Sequence, residues 1–150
     1  MTRMATAALV VGALHVGLVA TAGSPSVRDM VVLSVVVDGF PDGEGAAGIA
    51  VWNGARGFPE DIEHAVQAIY VPIEAGAARV RLGPFPPGVY AVTVYHDRDG
   101  DEQFDKNWLG IPREAWGVSN NVRPRLRAPT FDEARLELEA GEHQVSIHVE

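Results

Sequence analysis

From Ala134 onward the chain alternates as strands do. Ala134, Leu136 and Leu138 are apolar, while Arg135, Glu137 and Glu139 are charged. Beyond Gly141-Glu142, Val145, Ile147 and Val149 alternate with Gln144, Ser146 and His148. A two-residue repeat gathers the apolar side chains on one face of an extended chain, whereas a helix would scatter them. The two segments predict strands joined at a glycine turn, each with one face toward a core. Upstream, Met30–Val37 is rich in β-branched residues and ends at a turn, Asp38-Gly39-Phe40-Pro41-Asp42-Gly43. Gly48–Asn53, Val66–Ile73, Arg79–Leu82 and Val89–His96 read as further strands, and Phe58–Glu63 as one helical turn. About seven strands separated by turn signals predict an all-β, antiparallel sandwich of immunoglobulin-like or transthyretin-like type.

Composition narrows what such a sandwich does. At 150 residues, 47% hydrophobic and 21% charged, the chain is one globular domain's worth. It has no cysteine, which excludes disulfides, thiolate zinc sites and a cysteine nucleophile. Twelve Lys and Arg against twenty Asp and Glu give a net charge of −8, the wrong sign for binding nucleic acid.

The first 22 residues read as a secretory signal peptide. Arg3 precedes the apolar run Ala5–Ala20, and Ala20-Thr21-Ala22 is a small-x-small cleavage site. The run is shorter than the ~20 residues that span a bilayer. The expectation is a cleaved leader, residues 1–22, and a single exported domain, residues 23–150. Its destination would be periplasmic or secreted, with no transmembrane span after cleavage.

Residues 97–130 hold no long periodic segment, and a structured loop of that length is generally functional. It opens with Asp97-Arg98-Asp99-Gly100-Asp101-Glu102-Gln103-Phe104-Asp105. The acids stand at relative positions one, three, five and nine. Ca²⁺ takes six to eight oxygens, and this spacing winds carboxylates about one point. Asp97, Asp99, Asp101 and Asp105, with Gln103 contributing its carbonyl, are the candidate calcium ligands. Glu102 stands where an EF-hand has glycine, and Trp108 where it has glutamate, so the loop is closer to the short acidic loops between strands. A solvated acidic turn uses the same residues.

Next comes Gly110-Ile111-Pro112-Arg113-Glu114-Ala115-Trp116-Gly117-Val118-Ser119-Asn120-Asn121. With the preceding PPGVYAVTVYHDRDGDEQFDKN, it resembles the domain of unknown function 2141 family of small exported bacterial proteins. Trp116 replaces the family's usual tyrosine, Val118 its phenylalanine, and Asp99 and Asp101 its asparagines. The resemblance implies an exported β-sandwich and implies no activity. On the residues themselves, Gly110 and Gly117 are expected to permit positive φ, Pro112 fixes the backbone, and Ser119, Asn120 and Asn121 satisfy backbone groups. Trp108 and Trp116 are expected to pack over it.

These residues support several functions. A non-catalytic binding module would use Trp108, Arg113, Glu114, Trp116, Ser119, Asn120, Asn121, Arg123 and Arg125 toward a protein partner or a glycan or anionic ligand. Arg123, Arg125 and Arg127 share a face if the segment is extended, and otherwise pair with Asp132, Glu133 and Glu137. The alternative is a structural accessory of an envelope assembly. A hydrolase is the weakest reading, because Gly117-Val118-Ser119-Asn120-Asn121 lacks the last glycine of a nucleophile elbow, and His96-Asp97 reads as an exposed strand end. The expected protein is a monomer without catalytic residues, with Ca²⁺ its one candidate cofactor.

Overall fold

The computed structural model describes residues 26–150. The predicted leader, residues 1–22, lies outside the described residues. Eight strands follow in chain order: β1 (Val31–Asp38), β2 (Ala46–Trp52), β3 (Gln67–Pro72), β4 (Ala78–Phe85), β5 (Gly88–Asp97), β6 (Trp116–Val118), β7 (Leu136–Leu138) and β8 (Gly141–His148). They form two sheets, one of order β4-β1-β8, the other of order β3-β2-β5-β6 with β7 paired to β5. The fold is the expected all-β sandwich. Its pairings are antiparallel except one, β1 with β8, which is parallel from Val31↔Gly141 to Asp38↔His148.

The alternation read from the sequence builds the core. Val31, Leu33, Val35 and Val37 of β1 and Val145 and Ile147 of β8 meet Ala47, Ile49 and Val51 of β2 and Tyr90, Val92 and Val94 of β5. Each fully buried Val, Leu or Ile contributes about 1.5–3 kcal/mol. A second cluster covers the other face of the larger sheet. It centres on Trp52, with Phe58 edge-on at 5.6 Å and Phe131 edge-on to Phe58 at 5.8 Å. The indole Nε1 of Trp52 donates to Thr93 Oγ1 at 3.0 Å, so the buried ring leaves no stranded donor.

Four details depart from the sequence reading. β4 continues past Leu82 to Phe85 through a register shift, with Gly83 at φ +106°. The expected helical turn lies at the end of its segment, as a 3₁₀ turn over Ile62–His64. β6 interrupts the long loop. Ala134 ends a single helical turn, α1 (Phe131–Ala134), instead of opening a strand. Glu133 ties that turn down, its carboxylate accepting from the amide and hydroxyl of Thr130 at 2.9 and 3.0 Å.

Candidate functional site

β5 delivers the acidic loop. Asp97, its last residue, is 1% exposed although it is a carboxylate. Burial of that kind requires donors, and the loop supplies them: Gly100 N–H to Oδ1 at 2.8 Å and Glu102 N–H to Oδ2 at 3.2 Å. Gly100 has φ +75° and Glu102 has φ +61°, so both take the left-handed turn an acidic loop of this length needs. Tyr70 holds the strained residue, donating its hydroxyl to Glu102 O at 2.8 Å while accepting from Tyr95 at 2.8 Å. Phe104 tilts against Tyr95 at 5.5 Å and anchors the loop to the sheet. Burial, and then the hydrogen bond with Tyr70, push the Tyr95 hydroxyl well above its usual pKa, so it stays a donor.

Of the five residues expected to ligate calcium, the structure brings two together and adds a third. Carboxylate oxygens of Asp97, Asp99 and Glu114 lie within 4.8 Å of one another. The Asp101 carboxylate instead takes the Gln103 amide at 2.8 Å and its side-chain Nε2 at 3.4 Å. Asp105 sits beside the trio, its backbone amide donating to Glu114 Oε2 at 3.0 Å. Burial, with smaller contributions from the Asp105 and Asp97 charges, raises the Glu114 carboxyl above its ordinary pKa, while the Asp105 and Arg98 amides oppose the rise. A hard divalent cation is the natural counter-charge for three converging carboxylates. Spacing within the loop could not reveal Glu114, which arrives from the far side of a hairpin.

That hairpin is built from residues 105–113. Lys106 bridges to Pro112, Arg113 N–H donates to Asp105 O at 2.9 Å, and Asn107 N–H to Ile111 O at 2.9 Å. Asn107 organises its turn, its Oδ1 accepting from Leu109 and Ile111 at 2.9 and 3.0 Å. The tip is apolar and bare: Trp108 is 90% exposed, Leu109 60% and Ile111 53%. Trp108 therefore does not pack over the loop as expected.

The next motif works inside the fold. Ser119 is fully buried, accepting from Val92 N–H at 3.0 Å and donating to Ala134 O. Asn120, at φ +63°, donates to Glu133 O and Arg135 O at 3.2 and 3.0 Å. Asn121 lies against β8, donating to Ser146 O at 3.3 Å and accepting from His148 N–H at 2.8 Å. Gly117 is not at positive φ. A Cβ there would stand 2.5 Å from His148 O and 2.8 Å from Ile147 Cγ2, so the residue is small because the sheets meet there.

Two of the four arginines in this stretch are taken up by carboxylates. Arg123 pairs with Glu150 at 2.6 Å and stacks on half-buried Trp116 at 4.4 Å. The depression beside it, lined by Gly117, Asn121, His148 and Glu150 among others, measures 60 Å³, too small for a ligand cleft. Arg127 forks onto Glu133 at 2.6 and 2.8 Å, the pairing anticipated for it. A bend over Arg125–Arg127 breaks the shared face expected of an extended run. Arg113 and Arg125 are exposed.

His96 is buried, 3% exposed, and not the exposed strand end expected. Its Nε2–H donates to Glu44 O at 2.8 Å, beside Asp42 at 3.6 Å and Phe40 edge-on. Ser119 lies alongside Val92, four residues down β5 and about 13 Å from His96 along the strand. The two cannot share a proton.

A family model described as "Uncharacterized protein conserved in bacteria (DUF2141)" matches residues 35–146. No curated protein and no solved structure matches the chain. No helix among the described residues is long and apolar enough to cross a membrane.

Proposed function

The chain belongs to this family of uncharacterised bacterial proteins, and from that premise we propose that it is an exported, non-catalytic binding module whose acidic loop is ordered by Ca²⁺. The observation that carries the reading is the convergence of Asp97, Asp99 and Glu114 within 4.8 Å at the end of a rigid strand. All-oxygen donors favour a hard cation over zinc or copper. Glu114 makes the ion more than a local counter-charge. The same carboxylate holds the Asp105 amide at the neck of the hairpin, so a cation bound there fixes the hairpin relative to the sheet. The binding surface is then the loop and hairpin together. Export is supported by Arg3, the apolar run after it and the Ala20-Thr21-Ala22 site. The separation of Ser119 from His96 and the internal hydrogen bonds of both favour binding over hydrolysis.

The test is a thermal melt with chelator, then with Ca²⁺, then with Mg²⁺. Binding to the folded state alone stabilises by about 2.7 kcal/mol at a hundredfold excess over Kd. The expected outcome is a rise of several degrees with Ca²⁺ that is absent in Asp99→Asn and Glu114→Gln. An unmoved wild-type melt overturns the reading.

A further inference from the structure

We propose that the tip of the 105–113 hairpin inserts into the head-group layer of a phospholipid bilayer, so that the domain works against a membrane surface. Trp108, Leu109 and Ile111 are exposed on a convex turn and belong to neither core cluster. The backbone beneath them is largely closed: the amides of Asn107, Leu109, Gly110 and Ile111 donate within the hairpin, residue 112 is proline, which has none, and the Trp108 amide alone between 107 and 112 has no such partner. Such a turn enters the head-group layer with one amide, that of Trp108, left for water or a lipid oxygen, where an ordinary loop would strand several. With four of its amides already spent, the hairpin offers no run of free amides to a partner strand.

The side chains suit the interface. Tryptophan favours the head-group level, where an apolar body and a polar N–H are both accommodated. The neck pairs two bases with two acids, Lys106 and Arg113 next to the tip and Asp105 and Glu114 one residue behind them. In a chain of net charge −8, the residues flanking the tip are Lys106 and Arg113. Lys106 is held by Glu60, whereas Arg113 is exposed and has no carboxylate within 4.0 Å among the described residues. A guanidinium at that height fits a lipid phosphate. The tip belongs to the binding surface proposed above, but none of the three converging acids lies in it, so lipid insertion and calcium binding are tested by separate variants.

The experiment uses the full chain and vesicles of phosphatidylethanolamine and phosphatidylglycerol with brominated acyl chains. Tryptophan emission is compared between wild type and Trp108→Phe, which isolates Trp108 from Trp52 and Trp116. The expected result is a blue shift and quenching assigned to Trp108, most of it lost in Leu109→Ser/Ile111→Ser. Both variants change exposed positions, and an unchanged melting temperature verifies their fold. Emission of Trp108 unmoved by brominated lipid overturns the proposal, whether or not the apolar run Ala5–Ala20 carries the chain to the vesicles. So does a dimer formed without lipid and broken by Leu109→Ser/Ile111→Ser, which would give the tip to a second copy.

Discussion

Val92 gives its amide hydrogen to the hydroxyl of Ser119, 3.0 Å away, at the point where β5 changes partners. β6 pairs with β5 as far as Thr93, and β7 takes over from Tyr90. Ala91 and Val92, between them, keep β2 on one side but have no strand on the other, and one serine side chain fills the gap at Val92. Its hydroxyl hydrogen passes on to Ala134 O, so the same group closes the end of α1.

Ser119→Ala leaves a buried amide and a buried carbonyl without their partner. Each stranded group costs about 1–3 kcal/mol. The expected loss is about 2–4 kcal/mol, read from the midpoint and slope of a urea titration. A loss well below that range would mean that the hydroxyl is not the clasp described.

Gly117 and Gly54 make a matched pair. A methyl at residue 117 would press on the His148 carbonyl and Ile147, whereas one at residue 54 would meet nothing within 4 Å. Gly117→Ala is expected to cost about 3 kcal/mol or more, by forcing the sheets apart. Gly54→Ala is expected to change stability by no more than about 1 kcal/mol. Thermal melts of the two variants side by side separate close approach from a general effect of glycine replacement.

Tyr70 links the sheet to the turn of the acidic loop through Glu102 O. Tyr70→Phe removes that bond and leaves the Tyr95 hydroxyl without its acceptor. The expected cost is about 1 kcal/mol in metal-free stability. Calcium affinity should fall about fivefold as the loop loses its preset turn, a difference that titration calorimetry resolves.

Two glutamates give opposite pH signatures. Glu133 is pulled down to about 2, first by Arg127 and then by Thr130. Its depressed pKa stabilises the fold above the ordinary carboxylate pKa of about 4.3 and ceases to do so as pH falls toward 2. Glu133→Gln should flatten that acid limb modestly, since the pair is solvent-screened. Glu114 is raised, so its contribution is best when protonated, below the ordinary glutamate pKa, and is lost as pH rises through its folded value. Glu114→Gln should therefore raise the metal-free melting temperature at neutral pH and abolish its response to Ca²⁺. Melts across pH for both variants check the two signs.

Strands were legible wherever one face meets the core and the other meets water. β8 reads directly from Val145, Ile147 and Val149, and β5 from Tyr90, Val92 and Val94, all buried as the alternation predicts. β6 escapes because three residues hold no period. α1 escapes because Ala134-Arg135-Leu136 continues a two-residue alternation, although Thr130 followed by Glu133 is a helix-start signal. The parallel partnership of β1 with β8 is carried by no local feature. At the site, the loop and its turn residues were visible, whereas Glu114 joins Asp97 and Asp99 only through the hairpin's pairing. The burial of His96 follows from the 39–45 turn folding over the end of β5, where a Cβ on Gly45 would stand 2.2 Å from Asp97 O.

The pairing of β1 with β8 also sets a timetable. Val31 finds its partner in Gly141, so the central strand of the smaller sheet waits for nearly the whole domain to be synthesised. Contacts this distant in sequence form late, after the entropy of closing the intervening chain has been met. A nascent chain of this kind leaves the ribosome unable to complete its own sheet. Were the chain exported as proposed, threaded unfolded through a secretion channel, that delay would favour crossing before folding.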